Sequence, residues 1–255
     1  MKNNGEKLNL EKIHVPGKVY YKEITESTNL DAKNAENAPD KSIFLADMQT
    51  NGRGRLGREW SSPKGCGIWM SILLKPQESI SDFSQITLIA GLAVSRVIKG
   101  TVIKWPNDVL ISCKKVAGIL TEATLENGKV KNIIVGIGIN VNNKDFPDEL
   151  SDKATSIYIE TGIISDREQL ISNVAKEFFV MYDKFLKNAF SAYKKEYTDK
   201  CITINKDVYL IKNDEKRIAK AIGITDKGEL IVEENGKEEI INSCEVSVRG
   251  LLGYA

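Results

Sequence analysis

The sequence predicts an α+β protein: a mixed β-sheet with helices packed on one side, followed by a small C-terminal all-β module. Three observations carry that prediction. The run Val130–Asn140 is nearly continuous in Ile and Val, as a strand buried on both faces would be. Two segments, Ser81–Lys99 and one opening at Ser165 or Asp166, place apolar residues at helical spacing. From Cys201 onward the pattern changes to short alternating stretches separated by tight-turn residues.

Residues 1–18 read as a polar lead-in ending at Pro16-Gly17. Val19–Ile24 reads as a short strand, and Glu26-Ser27-Thr28-Asn29 opens a helix to about Asn37, with Thr28 and Asp31 matching a capping box. Ser42–Asp47 is a second strand. Gln49–Gly67 is rich in glycine and arginine without apolar periodicity, a loop long enough to favour a functional role. Cys66–Leu74 is a strand, and the helix Ser81–Lys99 buries Ile86, Ala90, Ala93 and Val97. Strands follow at Thr101–Lys104, Val109–Ser112, Lys115–Thr124 and Val130–Asn140. A polar, irregular stretch to Thr161 precedes the long helix, whose core side carries Leu170, Val174, Phe178, Met181 and Phe185. A shorter helix is expected at Ser191–Tyr197. Asn213-Asp214, Asp226-Lys227-Gly228 and Glu234-Asn235-Gly236 punctuate the terminal module, which reads as barrel-like. The chain thus divides into 1–18, 19–199 and 200–255.

Composition excludes several function classes. Lysine and arginine number 36 against 35 acids, so global charge steers the chain toward neither nucleic acid nor acidic membranes. No apolar run approaches the roughly 20 residues a membrane helix needs, and no signal peptide is visible, so a cytoplasmic protein is expected. Cys66, Cys113, Cys201 and Cys244 are widely spread and read as free thiols. The single histidine, His14, reads as a surface residue, which argues against a zinc site and a Ser-His-Asp triad.

Four segments could carry chemistry. Gly52-Arg53-Gly54-Arg55-Leu56-Gly57-Arg58-Glu59-Trp60 packs three arginines and three glycines into nine residues. Guanidinium groups bind oxyanions bidentately, and glycine lets a backbone approach closely, so the loop suits phosphate or carboxylate. A solvated arginine-rich loop or a weak RNA-binding patch accounts for the composition equally. Lys104-Trp105-Pro106-Asn107-Asp108 sits at a strand end, where Lys104 can meet an anion and Asp108 can ligate a metal or cap a turn; composition alone favours an ordinary turn. Gly136-Ile137-Gly138-Ile139-Asn140 starts like a dinucleotide fingerprint but lacks the third glycine and the helix. Strand glycines say more simply that backbone or ligand approaches closely, with the Asn140 amide nearby. Helix capping alone is sufficient to account for Ser27-Thr28-Asn29, with a ligand role left open, and Lys115-Val116-Ala117-Gly118-Ile119 adds a strand glycine with a lysine at its edge.

In order and spacing these segments together resemble the biotin protein ligases, over Val19 to the C-terminus. The resemblance implies a class II synthetase-like catalytic fold over 19–199, an SH3-like β-barrel over 200–255, and a two-step reaction. Biotin and ATP give biotinyl-adenylate with Mg²⁺, and a lysine of a biotin carboxyl carrier protein then receives the biotin. It implies that Ser27, Thr28, Asn29 and Gln49 hold biotin, with Arg53, Gly54 and Arg55 closing over it and its adenylate. It places Arg58, Trp60, Asn107, Lys115 and Asn140 near the nucleotide, Gly118 in the biotin pocket, and Lys104, with Arg55, in the catalytic role. Magnesium is expected to come with ATP, without a protein-only metal site. Leu56 departs from members with another arginine there, so it receives no ligand role.

Some members of this family carry an N-terminal helix-turn-helix. About 18 residues precede the first strand here, so the expectation is a ligase without repressor function or DNA binding. Membrane association is not expected, and a homodimer is among the assemblies left open. Two rivals stay in view: a lipoate-type ligase sharing the adenylate chemistry, and an RNA-binding module using the arginine loop, against which the near-zero net charge and the lack of interleaved aromatics weigh.

Overall fold

The computed structural model describes residues 7–77, 80, 82–212, 215–243 and 247–250. Its first unit is β1 (Val19–Thr25), α1 (Thr28–Asn34) and β2 (Ser42–Gln49), with the two strands parallel across the helical crossover. β3 (Gly67–Leu74) runs antiparallel to β2. After α2 (Ser84–Val97) come β4 (Val102–Lys104), β5 (Asp108–Ile111), β6 (Lys114–Glu126) and β7 (Lys129–Asn140), joined as antiparallel neighbours. The seven strands lie in the order β1-β2-β3-β7-β6-β5-β4, a mixed sheet. Two short helices, α3 (Asp148–Ser151) and α4 (Ile157–Thr161), occupy the stretch the sequence left irregular. The long helix is α5 (Arg167–Asn188), capped by the Asp166 side chain on Gln169 N, and α6 (Lys194–Lys200) follows it. None of these helices is long and apolar enough to cross a membrane.

The capping box expected from Thr28 and Asp31 does not form. Ser27 is the N-cap residue, without a side-chain cap bond, and Asp31 instead accepts from Lys22 Nζ and Thr25 Oγ1 at 2.6 and 2.7 Å. Thr28 and Asn29 therefore begin the helix with their side chains committed elsewhere.

One face of the sheet is covered by α2 and α5, whose Ile86, Ile89, Val174 and Phe178 join Ile119, Ile137 and Ile139 in the main core. Packing is not wholly one-sided: on the other face α1 packs Ala32 against Phe44, Leu73 and Ile134. Side chains alternate between faces along a strand, so register decides what lies beside α1. Two neighbouring rows cross the sheet there, Ser71–Gly136–Leu120 and Trp69–Gly138–Gly118–Asp108. Three glycines at the centre leave this face a bare floor.

A buried ion pair ties α5 to the sheet. Asp47 on β2 is fully buried and accepts from Arg167 Nη1 at 3.4 Å and from Tyr21 Oη at 2.5 Å. Arg167 also donates to the Gly67 carbonyl at 3.1 Å.

The terminal module contains β8 (Lys206–Lys212), β9 (Glu215–Ile224), β10 (Leu230–Glu234), β11 (Lys237–Ile241) and β12 (Ser247–Gly250), an antiparallel sheet ordered β11-β10-β9-β8-β12. The predicted turn at Asn213-Asp214 lies outside the described residues; the one at Asn235-Gly236 forms with both φ positive, at 52° and 73°. The module's Val208, Leu210, Leu230 and Val232 share the main apolar cluster. Trp105, at the end of β4, anchors it by donating from Nε1 to the Gly228 carbonyl at 2.9 Å and from its backbone N to Thr203 Oγ1 at 3.1 Å.

Candidate functional site

Above the glycine floor lies a cavity of about 550 Å³. Its walls come from the start of α1, the end of β2, the arginine loop, the β4–β5 turn and the first halves of β6 and the last of β7, with Phe146, Leu150 and Lys153 on one lip and Arg249 of the terminal module on another.

At one end is a cradle of amides and hydroxyls. Gln49 Oε1 accepts from Thr28 N at 2.8 Å and from Thr28 Oγ1 at 3.1 Å. Ser71 Oγ lies 2.7 Å from Thr28 Oγ1 and 2.6 Å from Asn29 Oδ1, and with one proton it serves one of them at a time. The Asn29 amide also donates to Glu122 at 2.6 Å. A methyl at Gly136 would overlap Asn29 Oδ1, so the strand glycine is what lets the cradle sit on the sheet.

At the other end charge accumulates. The arginine loop folds back on itself through an Arg53–Glu59 bridge and a 3₁₀ turn over Arg55–Gly57, with Leu56 exposed at its tip in the left-handed region at φ 58°. Arg55 reaches from the loop to Asn107 Oδ1 at 3.2 Å and to the Ser243 carbonyl, joining loop, β4–β5 turn and terminal module. Arg53 leans outward to Glu26 at 3.7 Å. Lys104 is only 6% exposed, and burial pushes its ammonium below the ordinary lysine range. Asp108 opposes that shift, while Lys115, Arg58 and Arg249 add to it by repulsion. Lys115 Nζ pairs with Asp108 at 2.6 Å and sits 5.0 Å from the centre of the Trp60 ring.

Trp60 itself lies on the floor. A Cβ at Gly138 would come within 2.5 Å of its Nε1, and one at Gly118 within 2.9 Å of its ring. Its indole N–H is buried over Gly138 and has no hydrogen-bond acceptor among the described residues. A cavity with a neutral polar cradle, an aromatic floor and a cationic end suits a molecule that is urea- or amide-like at one end and anionic at the other.

All of Ser27, Thr28, Asn29, Gln49, Arg53, Gly54, Arg55, Arg58, Trp60, Lys104, Asn107, Lys115, Gly118 and Asn140 line this cavity. Besides the cradle residues, Arg53, Arg55 and Lys115, two more have polar atoms engaged by the protein. Asn140 is buried and donates to the Thr155 carbonyl at 3.1 Å, and Asn107 Nδ2 donates to Ile119 O at 3.1 Å. The dinucleotide resemblance of Gly136-x-Gly138 is explained by close approach of Asn29 and Trp60 instead. Sequence reading missed Ser62, Ser71, Phe146, Leu150 and Arg249. Ser71 carried a signal, a lone hydroxyl in an apolar strand; the others carried none.

Comparison with known proteins agrees with this geometry. Residues 19–140 match the biotin/lipoate A/B protein ligase family, and residues 203–249 match the biotin protein ligase C-terminal domain. The bifunctional ligase/repressor BirA of Bacillus subtilis is 37% identical over 237 residues, covering 89% of this chain and 73% of that protein. A biotin–[acetyl-CoA-carboxylase] ligase of Paracoccus denitrificans is 29% identical, covering 89% of this chain and 98% of its own length. The structure of an Aquifex aeolicus biotin protein ligase in complex with biotin and ATP superposes with a TM-score of 0.81 at 35% identity, over 91% of this chain and 99% of that one. On these grounds, the chain belongs to the biotin protein ligase family.

Proposed function

We propose that this chain joins biotin to ATP as biotinyl-5′-AMP, releasing pyrophosphate, and then passes the biotinyl group to a lysine of a biotin carboxyl carrier protein. One observation carries the reading: a single cavity places an amide–hydroxyl cradle and a cluster of cations at opposite ends of a glycine floor. The cradle of Thr28, Asn29 and Gln49 suits the ureido ring, which both donates and accepts hydrogen bonds.

In the first step a carboxylate oxygen attacks the α-phosphorus and pyrophosphate leaves. Two unit charges about 4 Å apart repel by on the order of 4 kcal/mol at an effective dielectric near 20, so cations must sit beside the reacting atoms. Lys104, Lys115, Arg55 and Arg58 all line the cationic end; in this reading Lys104 meets the carboxylate and the α-phosphate, and Lys115, Arg55 and Arg58 meet the nucleotide. The Trp60 indole and the apolar lip of Phe146 and Leu150 suit a flat base. In the second step a neutral lysine amine attacks the acyl carbon and AMP leaves. A loop folded over the mixed anhydride keeps water from it.

Magnesium would arrive with ATP, where it neutralises phosphate charge. Asp108, a carboxylate beside Lys104, is paired with Lys115, so in this reading the phosphates themselves would hold the ion.

The test is direct. With biotin, ATP, Mg²⁺ and a carrier domain, the carrier lysine should gain one biotinyl group, and pyrophosphate exchange should depend on biotin rather than lipoate. Exchange with lipoate alone would favour the lipoate-type reading; salt-sensitive RNA affinity without biotin-dependent exchange would favour the RNA-binding one. The floor supplies a second expectation. Gly138→Ala forces the Trp60 ring from its seat, so KM for biotin or ATP should rise at least about tenfold without loss of fold; unchanged steady-state constants would remove the floor from this account.

A further inference from the structure

We propose that Ser62 is a positioning residue that holds the Gln49 amide in one orientation and thereby couples the cradle to closure of the arginine loop. The inference rests on the ligase reading above. Ser62 touches no reacting atom in that reading and lies just beyond the loop's end, only 5% exposed. Its Oγ accepts from Gln49 Nε2 at 2.8 Å and donates to the Trp60 carbonyl at 3.1 Å. The backbone repeats the link, Gln49 N donating to Ser62 O at 3.2 Å.

An amide has two rotational states that exchange oxygen and NH₂. Here Thr28 presents two donors to Gln49, its N–H and its hydroxyl. A flipped amide would turn NH₂ against the Thr28 N–H, which can only donate, and would turn its oxygen toward a Ser62 hydroxyl already used by Trp60. Ser62 and Thr28 together leave one orientation. In it, Gln49 keeps a second N–H, a donor for the oxygen of a bound urea group.

The same hydroxyl closes the base of the loop. Trp60 N donates to the Gly52 carbonyl at 2.9 Å. A Cβ at Gly52 would lie 2.5 Å from Trp60 O, 2.8 Å from Ser62 Oγ and 3.0 Å from Gln49 Nε2, so loop and latch are packed together with no room for a methyl. Two hydrogen bonds, Gln49 to Ser62 and Ser62 to Trp60, therefore connect the cradle to the ring lying on the glycine floor. A ligand that orders Gln49 orders the loop's anchor with it.

Biotin-dependent pyrophosphate exchange and equilibrium biotin binding test this. Ser62→Ala should raise KM and Kd for biotin about tenfold, with kcat within about twofold, as expected for a group that improves binding in ground and transition states alike. Ser62→Thr, which keeps the hydroxyl, should restore most of the loss. Ser62→Cys keeps the volume with a weak donor and should resemble the alanine variant, which covers the case in which alanine unfolds the loop base. In a Gln49→Ala background, Ser62→Ala should add less than about twofold, because the link is already gone. Biotin-induced hydrogen-exchange protection of residues 52–60 should be lost in Ser62→Ala. A wild-type KM in both Ser62→Ala and Ser62→Cys, or losses that simply multiply in the double variant, would overturn the proposal. Absence of biotin-dependent exchange in the unmodified chain would instead overturn the ligase reading.

Discussion

Lys104→Met is expected to cut adenylate formation by about 10²–10³-fold, the usual cost of removing one preorganised charge-stabilising group, while leaving the fold at least as stable. The two halves of that expectation share one cause. Lys104 ends β4 almost out of water, where burial favours its neutral form and Lys115, Arg58 and Arg249 repel its charge. Only Asp108 pulls the other way. Without an anion the charge is a cost to the folded state, and methionine fills the stem's space without it. With a carboxylate and an α-phosphate present, the same charge becomes the favourable partner. Lysine whose affinity for protons is depressed in the free protein regains it when an anion binds. Binding of biotin or ATP at alkaline pH should therefore take up a proton, visible by calorimetry in buffers of different ionisation heat, and Lys104→Met should abolish that uptake. Methionine at 104 with normal single-turnover adenylation would remove Lys104 from the chemistry.

The second large effect is on stability. Asp47→Ala should destabilise the chain by about 3–5 kcal/mol, the range for removing one partner of a buried ion pair. It removes the carboxylate partner of Arg167, itself 5% exposed, and the acceptor of the Tyr21 hydroxyl. Arg167→Met leaves the buried carboxylate its hydrogen bonds from Tyr21 Oη and Leu8 N but removes its cation. Combining Asp47→Leu with Arg167→Met should cost less than the two single losses summed, because no charge is then left alone. Urea unfolding of the four proteins gives the comparison directly, and strict additivity would show that Asp47 and Arg167 do not act as a pair.

How much of this was legible beforehand differs from element to element. The helix at Arg167–Asn188 was plain, since Val174, Phe178, Met181 and Phe185 repeat at helical spacing and are buried. The cationic motif residues were legible too, because Arg55, Arg58 and Lys104 are unusual in their local setting. The capping box was misread: Asp31 found partners in Lys22 and Thr25 on the preceding strand, which outcompeted a local cap. Ser62 gave no signal, because a serine in a polar loop is ordinary until its hydroxyl is seen between Gln49 and Trp60.

By itself the sequence determined the periods, the turns and the stock of chemical groups, since each is written within a few neighbouring residues. Only the tertiary structure decided which of those groups meet. Gly118 and Gly138 become one floor through strand register, and Arg55 reaches a carbonyl 188 positions away. The physical reason is that pairing register and core packing depend on contacts between distant segments, whose energies appear only once the whole sheet has formed.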